Sequence, residues 1–233
     1  MNTVRPGFVV NDGRAAKARK IRTVLEQASG SDISGQRLLD VGTGSGEIAQ
    51  LLGECCEVVS VDPCDQRVQR RGYRYLRAGT TLPFADGSFD LAVSNHVIEH
   101  LDDAASHVRE LARVLRPGGW AYLATPNRLW PWEVHYRVWC LHWLPEPAFE
   151  RALRRMGRFT EPLHLLGRRR LLALCGGLFE VEDFAPRILR RPTAYHLHVS
   201  RPLSRLLGAM PQGLYRTLAG LTPTLIVALH RRH

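Results

Sequence analysis

The stretch RLLDVGTGSG, residues 37–46, sets an apolar pair, Leu38 and Leu39, beside an acid, Asp40, and then three glycines in alternate positions, Gly42, Gly44 and Gly46. A short apolar run closed by glycines reads as a buried strand. Glycines in such a loop mark a backbone that turns sharply and lets a ligand come too close for a Cβ. A helical pattern from Glu47 to Cys55 follows at once, so the loop opens a helix and a nucleotide-like ligand is implied. The spacing is Gly-x-Gly-x-Gly and not the Gly-x-Gly-x-x-Gly that seats a dinucleotide pyrophosphate, which speaks against a nicotinamide cofactor. Asp40 suits a ligand that carries an ammonium group. Asp62, about 20 residues beyond Gly42 at the end of EVVSVD (57–62), stands where a carboxylate accepts hydrogen bonds from both ribose hydroxyls.

Working outward, SFDLAVSN (88–95) and WAYLATPN (120–127) read as two further buried strands beside 37–42 and 57–62. Helical patterns lie at Ala15 to Ala28, Glu47 to Cys55, Cys64 to Arg71, and Ala104 to Leu115. Strands that alternate with helices predict a parallel, doubly wound sheet. After Asn127 regularity returns only at GRRRLLALCGG (167–177), a helix with a glycine stop, then the strand-like LFEVEDF (178–184) and the last apolar run TLIVAL (224–229). We expect one α/β domain over 1–233, with an N-terminal helix within 1–36, a cofactor-binding core over 37–127 and a substrate or cap insert over 128–166. A C-terminal helix and strands would fill 167–233, with an insert at 187–222.

A chain of 233 residues, 45% hydrophobic, buries a full core of this class. It shows no apolar run of signal-peptide type and no stretch of about 20 apolar residues, so a cytoplasmic protein is expected. Five cysteines without a Cys-x-x-Cys pair suit reduced thiols better than disulfides or zinc. The net charge of +10 is nearly all arginine, with Lys17 and Lys20 the only lysines. Arginines crowd the second half, at 151, 154, 155 and 158, at 168–170, and at 187, 190 and 191. Base composition explains such a bias as readily as an anionic nucleic acid, phosphorylated substrate or acidic membrane does.

LLDVGTGSG, VVSVDP, LPFADGSFDLAVSNHVIEHL and ELARVLRPGGWAYLATPN, in this order over about 37–127, resemble the class I S-adenosylmethionine-dependent methyltransferases. The resemblance implies a Rossmann-like, seven-stranded sheet with an antiparallel last strand and inserts after strands 5 and 6. It implies S-adenosylmethionine as cofactor, with Asp40, Gly42, Thr43, Gly44 and Gly46 at its methionine part, Asp62 and Pro63 at the ribose, and the backbone of Asn95 in contact. Many relatives bind the adenine amino group with an acid where this chain has Ala78, so adenine recognition is expected to pass to the backbone at Gly79 or Thr80.

Methyl transfer from a sulfonium is an in-line displacement, helped by alignment and exclusion of water. A hydroxyl acceptor also needs its proton removed. HVIEH (96–100) would put His96, Glu99 and His100 on one helical face, as a base site or a ligand set. The stretch is similar to the ubiquinone-pathway O-methyltransferases, whose Glu-x-x-Glu-His holds a divalent metal. His96 here replaces the first glutamate and weakens a magnesium site, so no metal is expected. His100, His96 and His135 are the candidate catalytic groups.

NRLWPWEVHYRVWCLHWLP (127–145) holds four of the five tryptophans directly after the fifth strand, at the edge where such folds place ligands. Trp130, Trp132, Glu133, Tyr136 and Trp139 are therefore candidate substrate contacts. The same aromatics could simply pack the insert, or could meet an anionic membrane beside the arginines. The expected function is transfer of a methyl group to a small-molecule or lipid-linked acceptor, with oxygen preferred and peripheral contact with the inner membrane face. An RNA methyltransferase and a non-catalytic, membrane-associated binding module are the alternatives. No Asn/Asp-Pro-Pro-aromatic motif is present, and a nucleic acid partner is not expected. Oligomeric state is not legible.

Overall fold

The computed structural model describes residues 13–232, apart from the side chain of Arg216. Its first half runs α1 (Arg14–Ser29), β1 (Arg37–Val41), α2 (Glu47–Leu52), β2 (Glu57–Asp62), β3 (Arg74–Arg77), β4 (Phe89–Asn95), α3 (Ala104–Val114) and β5 (Leu115–Pro126). A two-stranded hairpin follows, β6 (Trp132–Glu133) and β7 (Val138–Trp139), and then α4 (Glu146–Arg155). The chain returns through α5 (Arg168–Gly176) and β8 (Phe179–Asp183), makes a helical excursion of α6 (Ala185–Arg190), α7 (Arg201–Ala209) and α8 (Gln212–Ala219), and closes with β9 (Thr224–Arg231).

Seven strands form one sheet in the order β3-β2-β1-β4-β5-β9-β8, and β9 runs antiparallel to both neighbours. The order reverses between β1 and β4, which opens a crevice at the carboxyl ends of those strands. Alternation along the strands divides the core between two faces. Leu39, Val41, Val59 and Val61 meet α3 and α5 through Val108, Leu111, Leu171 and Cys175. Leu38 and Val58 meet α1 and α2 through Ile21, Val24, Leu25, Ala49 and Leu52. Ile21, Val24 and Leu25 are wholly buried, each stabilising the fold by about 1.5–3 kcal/mol. Gly30, at φ +70, ends α1 by donating its N–H to the Glu26 carbonyl, and Asp103 caps α3 by accepting from the Ser106 N–H at 2.9 Å.

The structure departs from the sequence reading at residues 64–71, where no helix forms. The Asp65 carboxylate takes the Arg67 N–H at 3.2 Å and its guanidinium at 2.8 Å, and that guanidinium lies 3.7 Å over the Tyr75 ring. The N–H groups of Val68 and Gln69 go to the Ser45 carbonyl, leaving no helical ladder and laying this segment along the glycine loop. β3 was not read from the sequence because it is an edge strand of RYLR with little apolar signal and no fully buried residue. The helix from Glu47 stops at Leu52 rather than Cys55, because the N–H groups of Cys55 and Cys56 both turn back to the Leu52 carbonyl.

The insert over 128–166 has a small core of its own, built from Tyr136, Val138, Phe149, Leu153, Leu163 and Leu165. Asn127 fastens it to the sheet: this residue bridges to Leu166, and its side-chain amide donates to the carbonyls of Gly220 (2.9 Å) and Thr222 (2.8 Å). Both inserts therefore leave from the same end of the sheet, where β5 stops at Pro126 opposite the first residue of β9, Thr224. All five cysteines are free thiols. Among the described residues no helix is long and apolar enough to cross a membrane.

Candidate active site

Gly42, Gly44 and Gly46 all take positive φ, +78, +54 and +81. A side chain would be strained at each. At Gly42 a Cβ would also collide with Val97, and at Gly46 with the Gln69 carbonyl and the Tyr73 hydroxyl; at Gly44 it would enter open space. The loop is pinned by Gly42 N–H to the Val61 carbonyl at 2.8 Å and Gly46 N–H to the Thr43 carbonyl at 3.1 Å. Asp62 ends β2 and accepts from the N–H of Gly44 at 3.0 Å and of Cys64 at 2.9 Å, one bond to each carboxylate oxygen. Each oxygen keeps a lone pair for a further donor such as a ribose hydroxyl.

Asp40 is buried in β1 just before the loop, where the Ser60 hydroxyl donates to it at 2.9 Å. Burial pushes its carboxyl up to about 6, against the opposing pull of the Ser60 and Thr43 hydroxyls. A cationic group in the open space by the loop would favour the ionised form. Pro63 follows Asp62, and Gly79 and Thr80 form the exposed turn after β3, where a Cβ on Gly79 would again meet nothing. Asn95 ends β4 beside the loop side of the crevice. A cavity of about 410 Å³ lies between Asp102, Glu146, His164 and Arg170.

Immediately after Asn95 the chain turns sharply. His96 takes φ +60 and its N–H bonds to the Ala124 carbonyl at 2.8 Å. Its Nδ1 lies 3.2 Å from Oε1 of the wholly buried Glu99, whose Oε2 accepts from the Thr125 hydroxyl at 3.0 Å. Burial opposes ionisation of Glu99, but His96 and Thr125 outweigh it and hold the carboxyl below its usual range. Val97, which touches Gly42, begins this turn, so the glycine loop and the histidine turn share one wall.

His135 arrives from the insert. Its Nδ1 sits 2.8 Å from Oε1 of buried Glu133, which also accepts the N–H groups of His135 (2.9 Å) and Tyr136 (2.6 Å). Burial alone would lower the His135 pKa; the Glu133 hydrogen bond and charge outweigh this and raise it. The His135 ring meets that of His100 edge-on at 5.2 Å, and His100 Nδ1 lies 3.2 Å from Glu161. Donor atoms of Glu99, His100 and His135 fall within 4.8 Å of one another. One carboxylate with two imidazoles is a nitrogen-rich set that does not fit magnesium, which prefers oxygen, and no step below passes through that metal.

The structure thus brings His96, His100 and His135 together although His135 is far from the others in sequence. It separates the aromatics. Trp132 and Trp139 pair across the hairpin at 5.2 Å with Trp139 68% exposed, while Tyr136 is buried in the insert core and bonds through its hydroxyl to the Glu161 backbone. Trp130 is half-buried at the start of the hairpin. Ser60, the partner of Asp40, and Thr125, the partner of Glu99, were not singled out in the sequence; both are polar residues inside apolar strands, which is the signal that marks them.

A family model described as a methyltransferase domain matches residues 14–157, more than half of the chain. The chain belongs to this family. Its fold and its motifs are those of the class I S-adenosylmethionine-dependent methyltransferases. An uncharacterized methyltransferase of Mycobacterium sp. (strain JLS) is 37% identical over 125 residues, covering 51% of this chain and 50% of the relative. A ubiquinone biosynthesis O-methyltransferase of Bordetella bronchiseptica is 28% identical over 116 residues, covering 45% and 48%. The chain spans about half the length of the curated relatives it matches. Among solved structures, an S-adenosylmethionine-dependent methyltransferase of Mesorhizobium loti matches with a TM-score of 0.56 at 21% identity, over 88% of this chain and 95% of that one. This likeness is one of fold. The methyltransferase match covers the glycine loop, the histidine turn and the hairpin with His135, and leaves α5 to β9 outside.

Proposed function

We propose that this methyltransferase domain moves a methyl group from S-adenosylmethionine to a hydroxyl oxygen of a small-molecule or lipid-linked acceptor, with His135 as the general base. The observation that carries this reading is the Glu133–His135 pair at 2.8 Å, set beside His100 next to the turn that walls the glycine loop. S-adenosylmethionine supplies a methyl group made electrophilic by its sulfonium. Asp40 offers a buried negative charge to its ammonium end, and Asp62 holds its ribose. Gly79 and Thr80 meet the adenine through backbone groups, and Asn95 through its own. Glu133 fixes His135 with its Nδ1–H toward the carboxylate, which leaves Nε2 to take the acceptor's hydroxyl proton as the C–O bond forms and the methyl–sulfur bond breaks, its electron pair returning to the sulfur as a neutral thioether. The 28% identical relative named as a ubiquinone biosynthesis O-methyltransferase supports oxygen as the acceptor atom.

Titration calorimetry and turnover on a panel of phenols and lipid-linked alcohols test the reading together. His135→Ala is expected to keep wild-type affinity for S-adenosylmethionine and to lose about 10²- to 10⁴-fold in kcat. Unchanged turnover in that variant would falsify the assignment of the base, and absence of cofactor binding in the wild type would remove the methyltransferase reading itself.

A further inference from the structure

The excursion over residues 187–222 has no role in the site described above, and its chemistry is unlike that of the rest of the chain. From Phe184 to His233 there are eight arginines and not one aspartate or glutamate. Arg187 finds Glu182 on β8, but Arg190, Arg191, Arg201 and Arg205 make no ion pair among the described residues. A region with so many uncompensated cations on a chain already at +10 repels itself, and an anionic surface relieves that repulsion.

The helix α7 is also turned the wrong way for a globular protein. Leu203, Leu206, Leu207 and Met210 recur at helical spacing within one stripe about 100° wide. An amphipathic helix normally hides such a stripe, yet α7 buries none of its residues, and Leu206 is 64% and Leu203 38% exposed. Contact with the protein runs along the other side, where Gly208 faces the Arg190 carbonyl of α6 at 3.8 Å. Leu214 and Leu221, on and just after α8, are likewise 42% and 51% exposed. The stripe lies on one short helix whose opposite, polar side carries the exposed Arg201 and Arg205, long-stemmed cations that reach back to anionic headgroups while the leucines enter the acyl boundary. A nucleic acid would gain nothing from the leucines.

We propose that α7 and α8 dock this chain onto an anionic lipid surface. The placement is consistent with the site: the end of α8 is fastened to the carboxyl edge of the sheet by the Asn127 amide, next to the insert that carries His135. A bilayer beneath α7 and α8 would thus lie close to the edge at which an acceptor enters. Docking itself depends on the leucine stripe and the arginines and not on which acceptor is methylated.

Flotation of the full chain with vesicles tests it, using phosphatidylglycerol mixed with phosphatidylcholine against phosphatidylcholine alone. The wild type is expected to float with the anionic vesicles at low salt, to bind at least about tenfold less to neutral ones, and to be released as salt rises. The double variant Leu203→Ser/Leu206→Ser, which alters exposed residues only, is expected to lose about tenfold or more in vesicle binding. Arg201→Gln/Arg205→Gln is expected to lose about fivefold per arginine for anionic vesicles alone, on the order of 1 kcal/mol each. Affinity for S-adenosylmethionine, measured in parallel, is expected to be unchanged in both variants. Equal flotation of wild type and leucine variant, or no flotation of the wild type at low salt, overturns the proposal. So does a concentration-dependent dimer that the leucine substitutions abolish without any vesicle binding, which would assign the stripe to a second copy. Vesicle docking with no methyl transfer would instead leave this surface standing and remove the enzymatic reading.

Discussion

The glycine loop and the tryptophan insert both supply polar groups to the same edge of the sheet, but they are held there by different means. In the loop, positions are fixed by backbone: three positive-φ glycines and hydrogen bonds from Gly42, Gly44 and Gly46 N–H leave almost no freedom between β1 and α2. In the insert, positions are fixed by packing. Glu133 and His135 stand on a hairpin whose own core is six apolar or aromatic side chains, and which joins the sheet mainly through Asn127 and Leu166. The first arrangement is set by ten consecutive residues against the end of the neighbouring strand β2, and the second exists only when hairpin, helix and sheet segments far apart in sequence meet. A donor common to a whole family can be met by the first; an acceptor peculiar to one enzyme suits the second, because an insert can change its side chains without disturbing the loop.

The largest test of that contrast is Asp40. Its carboxyl is pushed to about 6 when folded against 3.8 for the ordinary group, so the folded state holds this proton more tightly than the unfolded one. Stability from this group is therefore greatest below about pH 4, declines as pH rises between about 4 and 6, and is gone above that. Ionised Asp40 at pH 7 costs the fold on the order of 3 kcal/mol, at about 1.4 kcal/mol per pH unit. Asp40→Asn is expected to raise Tm at pH 7.5 and to lose that advantage at pH 4, as read by calorimetric melting. It should also weaken S-adenosylmethionine binding by tenfold or more at pH 7.5, while wild-type affinity falls as pH drops through about 6. Equal affinity in the two proteins would show that the buried acid does not serve the ammonium end.

Next come the glycines. Gly46→Ala places a methyl group against the Gln69 carbonyl at φ +81, so a loss of at least about 2 kcal/mol is expected, a fall of roughly 4–8 °C in Tm. Gly44→Ala meets open space, and only the strain of φ +54 is expected, about 1 kcal/mol. Affinity for the cofactor should reverse the order if the open space by Gly44 holds the ligand, as we propose. Should Gly44→Ala bind normally, the groove assigned to the methionine part lies elsewhere.

The smallest effect is expected at the insert surface. Trp139→Ala removes a 68% exposed ring and its pairing with Trp132, so stability should change by no more than about 1 kcal/mol in urea unfolding. Cofactor affinity should not move at all. A larger loss would mean that the hairpin is fixed by its aromatic pair rather than by the core around Tyr136, which would narrow the contrast between the two regions.

Much of the architecture follows from local pattern. The strands at β1, β2, β4, β5 and β9 are apolar runs with both faces buried, β8 alternates apolar and acidic residues at the sheet edge, and the helices α1, α3 and α5 carry their buried residues at helical spacing. Residues 64–71 misled because their spacing is helical, while the Asp65–Arg67 pair and the Ser45 carbonyl captured the groups a helix needs. β3 was hidden because a four-residue edge strand buries too little to leave an apolar signature.

The loop residues were legible for the same reason the glycines are there: φ values that side chains rarely adopt leave a mark in the sequence itself. Nothing comparable marks Glu133 with His135, or His135 with His100. A histidine and a glutamate two residues apart are ordinary until a hairpin buries the acid, and the edge contact at 5.2 Å joins segments 35 residues apart. Likewise the spacing of the leucines of α7 fixes that they share a face but not which way that face turns. The sequence alone determined six of the seven strands of the sheet and the glycine loop between β1 and α2, since these rest on short apolar runs and on backbone conformation. Only the tertiary structure decided which histidine has a buried carboxylate behind it and which apolar stripe meets solvent, because both depend on the packing of segments that the chain keeps far apart.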